Sequence, residues 1–165
     1  MNIRHIESPI GELTLVASEA GLAFVLFEGQ EPADVGLAPD LPEVTDDPTL
    51  ERAATQLGEY FAGERRDFDV PLDLQGTDFQ VDAWRALATV PYGETRSYGE
   101  QADAIGRPGA FRAVGAANGR NPIPVILPCH RIVGADGSLT GFAGGLDTKR
   151  WLLNHEQDQQ GLPGI

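Results

Sequence analysis

The chain has 165 residues, 41% of them hydrophobic and 22% charged, with a formal net charge of −13. That length holds one domain or two small ones, and the composition is globular rather than disordered or fibrous. The longest apolar run, Leu22 to Phe27, falls far short of the ~20 residues of a membrane helix, and Asn2, Arg4, His5 and Glu7 interrupt any signal-peptide core, so a cytoplasmic protein without membrane contact is expected.

A single cysteine, Cys129, excludes an internal disulfide and a cysteine-rich zinc cluster. The charge is unevenly spread. Residues 1–75 carry 16 acids against 4 bases, residues 76–165 carry 9 against 8, and residues 85–131 hold six arginines against three acids. A locally basic segment is compatible with a nucleic-acid partner, although the acidic half should slow its encounter with a phosphate backbone.

Short apolar runs at Leu13 to Ala17 and Leu22 to Phe27, bounded by Ser8-Pro9-Ile10-Gly11 and Glu19-Ala20-Gly21, predict a strand meander at the start of the chain. Residues 28–48, with seven acids, no bases and four prolines, predict a solvated, partly mobile loop. A helix should follow, capped by Asp47, opened by Pro48 and ended at Gly63, with the apolar Leu50, Ala53, Ala54, Leu57, Tyr60 and Phe61 at helical spacing. Strict alternation from Asp67 to Leu74 predicts a half-buried strand, and Pro71 sets it at a sheet edge.

The second half changes character. Thr77-Asp78-Phe79-Gln80 and Ser97-Tyr98-Gly99-Glu100 are capping boxes that each open a helix. The second of these helices stops at Gly106, a glycine-rich connection follows, and residues 110–117 form another short helix. Two short helices around a glycine turn suggest helix-turn-helix. The second is thin: Ala110, Ala113, Gly115, Ala116 and Ala117 surround one long polar residue, Arg112, beside the aromatic Phe111. Reading base edges in the major groove takes several long polar side chains. A slim helix with one arginine suits the minor groove, gripping DNA without reading much sequence. The segment from Asn121 to Pro128 reads as extended and apolar, delivering Cys129, and a last helix is expected with Asp147 as N-cap, Leu146 and Trp151 as a staple, and a fraying tail from Gln157.

Cys129 lies between Pro128 and His130, next to Arg131, and cationic neighbours favour a reactive thiolate. Adjacent side chains of an extended chain point apart, so His130 should reach the sulfur through water rather than directly. It needs an orienting acid, and Glu156, Asp136 and Asp147 are the candidates that spacing leaves open.

Pro128-Cys129-His130-Arg131-Ile132-Val133, with Asn121-Pro122, Arg112-Ala113-Val114-Gly115, Tyr92-Gly93, Ser97-Tyr98, Gly144-Gly145-Leu146 and Trp151-Leu152-Leu153-Asn154-His155-Glu156, resembles the O6-alkylguanine-DNA alkyltransferases (methylated-DNA–protein-cysteine methyltransferases). The resemblance is dense over residues 76–156 and looser over 1–75. It implies an α+β fold: a small N-terminal α/β domain with an antiparallel sheet (1–75), then a mainly helical C-terminal domain with a winged helix-turn-helix-like DNA-binding motif (76–165).

It also implies roles. Cys129 accepts the alkyl group permanently, His130 is its base through water, and Glu156 orients that histidine. Tyr98 gives a proton to the guanine ring and contacts DNA. Asn121 ties the helix-turn-helix to the active segment. Arg112 holds the gap left by an extruded nucleotide, on a helix whose Ala110, Ala113, Gly115 and Ala116 approach the groove. Ile132, Phe142 and Ala143 surround the flipped base. Phe142 and Ala143 stand where some members have tyrosine and serine, so the base oxygen meets only a backbone donor. The implied partner is double-stranded DNA carrying alkylated guanine, met by a monomer with no cofactor and no metal. Two other readings stay open: a sensor that binds alkylated DNA without repairing it, and a cysteine hydrolase, which would turn over repeatedly and need no duplex.

Overall fold

In the computed structural model, which describes residues 1–161, the chain divides into two compact units, Met1–Gln75 and Gly76 onward. Among the described residues no helix is long and apolar enough to cross a membrane.

The first unit is built on the expected meander. Strands β1 (Asn2–Ile6), β2 (Leu13–Ala17) and β3 (Leu22–Leu26) pair antiparallel in sequence order, with a register shift at Val16/Ala17. Every residue of β2 is buried, so both faces of the sheet are covered. Helix α1 (Pro48–Phe61) lies against the sheet, with Leu50, Ala53, Leu57 and Tyr60 buried and Ala54 and Phe61 half-buried, and Asp47 caps it by accepting from the amides of Thr49 and Leu50. The cluster of Ile3, Val16 and Leu26 is covered by Leu37 and Leu41.

That covering comes from the expected solvated loop. Residues 28–48 are mostly exposed, yet they contain a short 3-10 turn (Pro32–Val35) and are fastened to β1: Ile3 donates to the Pro42 carbonyl at 2.9 Å, and Val44 donates to that of Ile3 at 3.1 Å. Two leucines among the acids anchor the loop by burying apolar surface.

The expected strand at residues 67–74 is not a strand. It touches β3 only at Leu22 and Leu72, where Leu22 donates to the Pro71 carbonyl at 2.8 Å and Asp73 to the Leu22 carbonyl at 2.8 Å. Its carboxylates are drawn elsewhere: Asp69 pairs with Gln56, and Asp73 accepts from the Ser18 hydroxyl at 2.6 Å. Gly21 makes the approach possible, since a Cβ there would sit 2.6 Å from the Pro71 carbonyl oxygen.

In the second unit both capping boxes form. Thr77 and Gln80 close the start of α2 (Asp78–Leu87), and Ser97 and Glu100 that of α3 (Tyr98–Ala104). Helix α4 runs from Phe111 to Gly119, two residues beyond the expected end. A polar knot joins the three helices. The Gln101 and Asn118 amides exchange bonds of 2.9 and 2.8 Å, Gln101 also donates to the Ala83 carbonyl, and the Trp84 indole donates to the Ala117 carbonyl at 2.8 Å. Small residues on α4 allow this close packing.

Two short strands, β4 (Arg96–Ser97) and β5 (Ile132–Val133), pair in parallel, and α5 (Leu146–Gly161) closes the unit. Asp147 is not its N-cap: the helix already includes Leu146, and Asp147 pairs with Arg150 at 3.2 Å in the first turn. Leu146 is exposed, so its expected role as a staple is not filled. The expected fraying tail is helical as far as Gly161, and residues 162–165 lie outside the described residues.

Candidate active site

Cys129 is presented by a coiled segment rather than by the expected extended one. The Asn121 side chain accepts from the Ile123 amide at 3.0 Å and donates to the Leu127 carbonyl at 2.8 Å, while Leu127 donates to the Ile123 carbonyl at 2.9 Å. The prolines and this clamp fold the run into a buried turn, in which the β-branched Val125 takes a left-handed φ of 73°. Such a backbone persists only where its surroundings over-determine it. The next three residues, Cys129–Arg131, form one 3-10 turn. Side chains on such a turn lie about 120° apart, and neither imidazole nitrogen bonds the sulfur: Nε2 faces Glu156 and Nδ1 has no partner.

His130 and Arg131 converge on Glu156 of α5. The His130 Nε2 lies 2.7 Å from Glu156 Oε2, and Arg131 reaches both carboxylate oxygens at 2.8 and 3.1 Å. Arg131 also donates to the Val90 carbonyl at 2.7 Å and lies over the Tyr92 ring. Of the three candidate acids, Asp136 instead bonds the Ser138 amide and Asp147 pairs with Arg150, so Glu156 alone meets the histidine.

Burial alone would raise the Glu156 pKa, but bonds and charges from His130 and Arg131 outweigh it and hold the carboxyl well below the usual range. Burial pushes the His130 imidazole below its ordinary value, against the pull of Glu156. An ionised carboxylate only accepts, so Nε2 carries the ring proton and Nδ1 keeps the lone pair. That Nδ1 is buried and has no hydrogen-bond partner.

Arg131 is therefore committed to Glu156 and is not the cation expected beside the thiol. Lys149 takes that place. It is buried on α5, donates to the Ile132 carbonyl at 2.6 Å and to that of Thr140 at 3.3 Å, and lowers the thiol pKa electrostatically, as does a hydrogen bond from Asn121. Burial dominates all the same and pushes the Cys129 thiol up to about 11. Nothing in the sequence marks Lys149 except that it is the only lysine among eleven arginines.

The sulfur opens on a cavity of about 380 Å³, within the ~300–1,000 Å³ usual for small-ligand sites. Tyr98 of α3 lines it, as do Gly115, Asn118 and Gly119 of α4, and Gly141, Phe142 and Ala143 of the loop before α5. The Tyr98 hydroxyl lies 2.5 Å from Thr140 Oγ1, so the residue whose carbonyl Lys149 holds also holds the phenol. Ile132 is fully buried, with its carbonyl taken by Lys149. Arg112, Ala113 and Ala116 are exposed on α4, and Ala110, half-buried, stands at its N-cap. A separate hollow of about 330 Å³ beside α2 and α3 has Thr89, Arg96, Glu100 and Asp103 on its walls.

Two family models match: 6-O-methylguanine DNA methyltransferase, ribonuclease-like domain, over residues 1–74, and the DNA binding domain of the same name over residues 78–158. A methylated-DNA–protein-cysteine methyltransferase of Mycobacterium tuberculosis is 52% identical over 161 residues, spanning 96% of this chain and 94% of that protein. One of Methanosarcina acetivorans is 52% identical over 151 residues, 91% and 94% of the two chains. The crystal structure of Mycobacterium tuberculosis OGT in complex with DNA is similar at a TM-score of 0.85 and 51% identity, covering 96% of this chain and 94% of that one. A buried Cys-His-Glu arrangement opening on a cavity beside a slim helix, in a chain matched nearly end to end by these relatives, belongs to the 6-O-methylguanine DNA methyltransferase family.

Proposed function

We propose that this chain repairs DNA directly, carrying the alkyl group of O6-alkylguanine in a duplex to its own Cys129, once and irreversibly. The observation that carries the reading is a thiol lining the cavity, adjacent in the chain to an imidazole whose free lone pair is buried and whose other nitrogen is fixed by a carboxylate at 2.7 Å.

The target carbon is stacked inside a duplex, so the nucleotide must be extruded, at about a few kcal/mol. Arg112, on the slim exposed face of α4 with Ala113, Gly115 and Ala116, fills the gap through the minor groove, and Ala110 sets the start of that helix. The base enters beside Phe142 and Ala143, with backbone near Cys129 and Ile132 supplying hydrogen bonds. As the sulfur attacks the alkyl carbon, its proton passes through water to His130 Nδ1, and Glu156 stabilises the imidazolium. The S–C bond forms as the C–O6 bond breaks, and Tyr98 protonates the leaving guanine and recovers its proton from the histidine. The net result is one proton lost by the thiol and one gained by the guanine. Asn121 and Lys149 lower the thiol pKa against its burial.

The thioether product is not hydrolysed, so turnover stops at one. The DNA substrate also fixes the location, which in cells of the bacterial and archaeal kind of the relatives is the cytoplasm.

Incubation with a methylated duplex followed by intact and peptide mass measurement tests the reading. One added methylene on the peptide containing Cys129 supports it. Repeated product release, or a bound but unmodified lesion, would overturn it in favour of a hydrolase or a sensor.

A further inference from the structure

Phe111 has no part in the mechanism above, which uses only its neighbour Arg112. At 50% exposure it is the most open of the large hydrophobic side chains among the described residues. Scattered surface hydrophobics are ordinary, so exposure alone assigns nothing. Its position does more. Residues 111, 115 and 119 follow one another at helical spacing along a single strip of α4, and two of them, Gly115 and Gly119, line the Cys129 cavity. Phe111 therefore continues the cavity-lining strip one turn outward. The Arg112 guanidinium lies 5.9 Å from its ring centroid, within the range of a cation–π contact.

Resting on the DNA-repair reading above, we propose that Phe111 is a second wedge residue, stacking on the base next to the extruded nucleotide on the cavity side of Arg112. Small or absent side chains beside it allow the backbone of α4 close to the groove, and apolar wedges of this kind part base steps in minor-groove binders. Arginine alone supplies a cation and hydrogen bonds to the vacated position. A phenyl ring supplies a face for the exposed neighbouring base, whatever its identity.

The test compares the single-turnover rate on a methylated duplex with the rate on free O6-benzylguanine, as a ratio, for the unaltered chain, Phe111→Ala and Phe111→Trp. Phe111→Ala should lower the duplex-to-free-base ratio about tenfold, and Phe111→Trp should restore most of it, since indole also stacks. The loss in Phe111→Ala should shrink when the lesion lies in an unpaired bubble, where no stack has to be parted. An unchanged ratio, or an equal loss on duplex and bubble, would overturn the wedge while leaving Cys129 alkylation intact. Failure of the unaltered chain to acquire a methyl group at Cys129 would remove the repair reading itself.

Discussion

Burial holds the sulfur of Cys129 toward the thiol form, and in the proposed mechanism its proton leaves only during reaction. Its raised pKa, from 9.0 to about 11, makes the folded state favour the protonated form. The stability this gives is present below pH 9 and is lost as pH rises toward 11, an effect of about 3 kcal/mol. Urea unfolding midpoints should therefore fall across that interval and fall less in Cys129→Ala. His130 and Glu156 are depressed instead, so the stability they give is lost as pH falls through their folded-state values. In the proposed mechanism the transfer step uses a neutral imidazole, so its rate should stay level somewhat below pH 6.5, the ordinary histidine value, before declining. Glu156→Gln removes the group that raises the His130 pKa, so that acid limb should move to lower pH while the rate drops about a hundredfold. It also strands Arg131 in the interior, at a cost of about 3–5 kcal/mol. Lys149→Met should raise the thiol pKa further, read as slower labelling by a small alkylating reagent at each pH. This lysine was illegible in the sequence because its role depends on two carbonyls, at positions 132 and 140, that only folding brings to it.

Elements whose signals are local were legible and those fixed by distant partners were not. The capping boxes at Thr77 and Ser97 and the Asp47 cap each satisfy helix-end amides with side chains three or fewer residues away, so the pattern contains its own explanation. Ser97→Ala should accordingly cost about 1 kcal/mol, measured by thermal or urea unfolding, and slow transfer by loosening the turn that carries Tyr98. Residues 67–74 alternate just as plainly, yet Ser18 and Gln56, far away in sequence, claim their carboxylates. At 121–128 the apolar run reads as extended because nothing in its composition shows that Asn121 closes it into a turn. Gly21→Ala tests such a distant constraint from the other side. Its Cβ would meet the Pro71 carbonyl at 2.6 Å, backbone against backbone, and unfolding should begin at lower denaturant.

At the scale of the whole chain, charge and chemistry are divided. The 16 acids of residues 1–75 dominate the net charge, while Arg107, Arg112 and Arg120 stand exposed on and around α4. With so few cations available to phosphates, log affinity against log salt should have a slope of about −2 to −3, shallow for a duplex binder, when followed by fluorescence anisotropy. The division into an acidic and a near-neutral half could be read from composition, but the sequence could not show that the thiol would be almost enclosed. That enclosure bears on survival between lesions. A reagent that works once is wasted by any stray electrophile that reaches it first, and oxidants and free alkylators prefer exposed, ionised sulfur. Kept protonated and only 7% exposed, the cysteine stays unspent until a properly seated purine arrives.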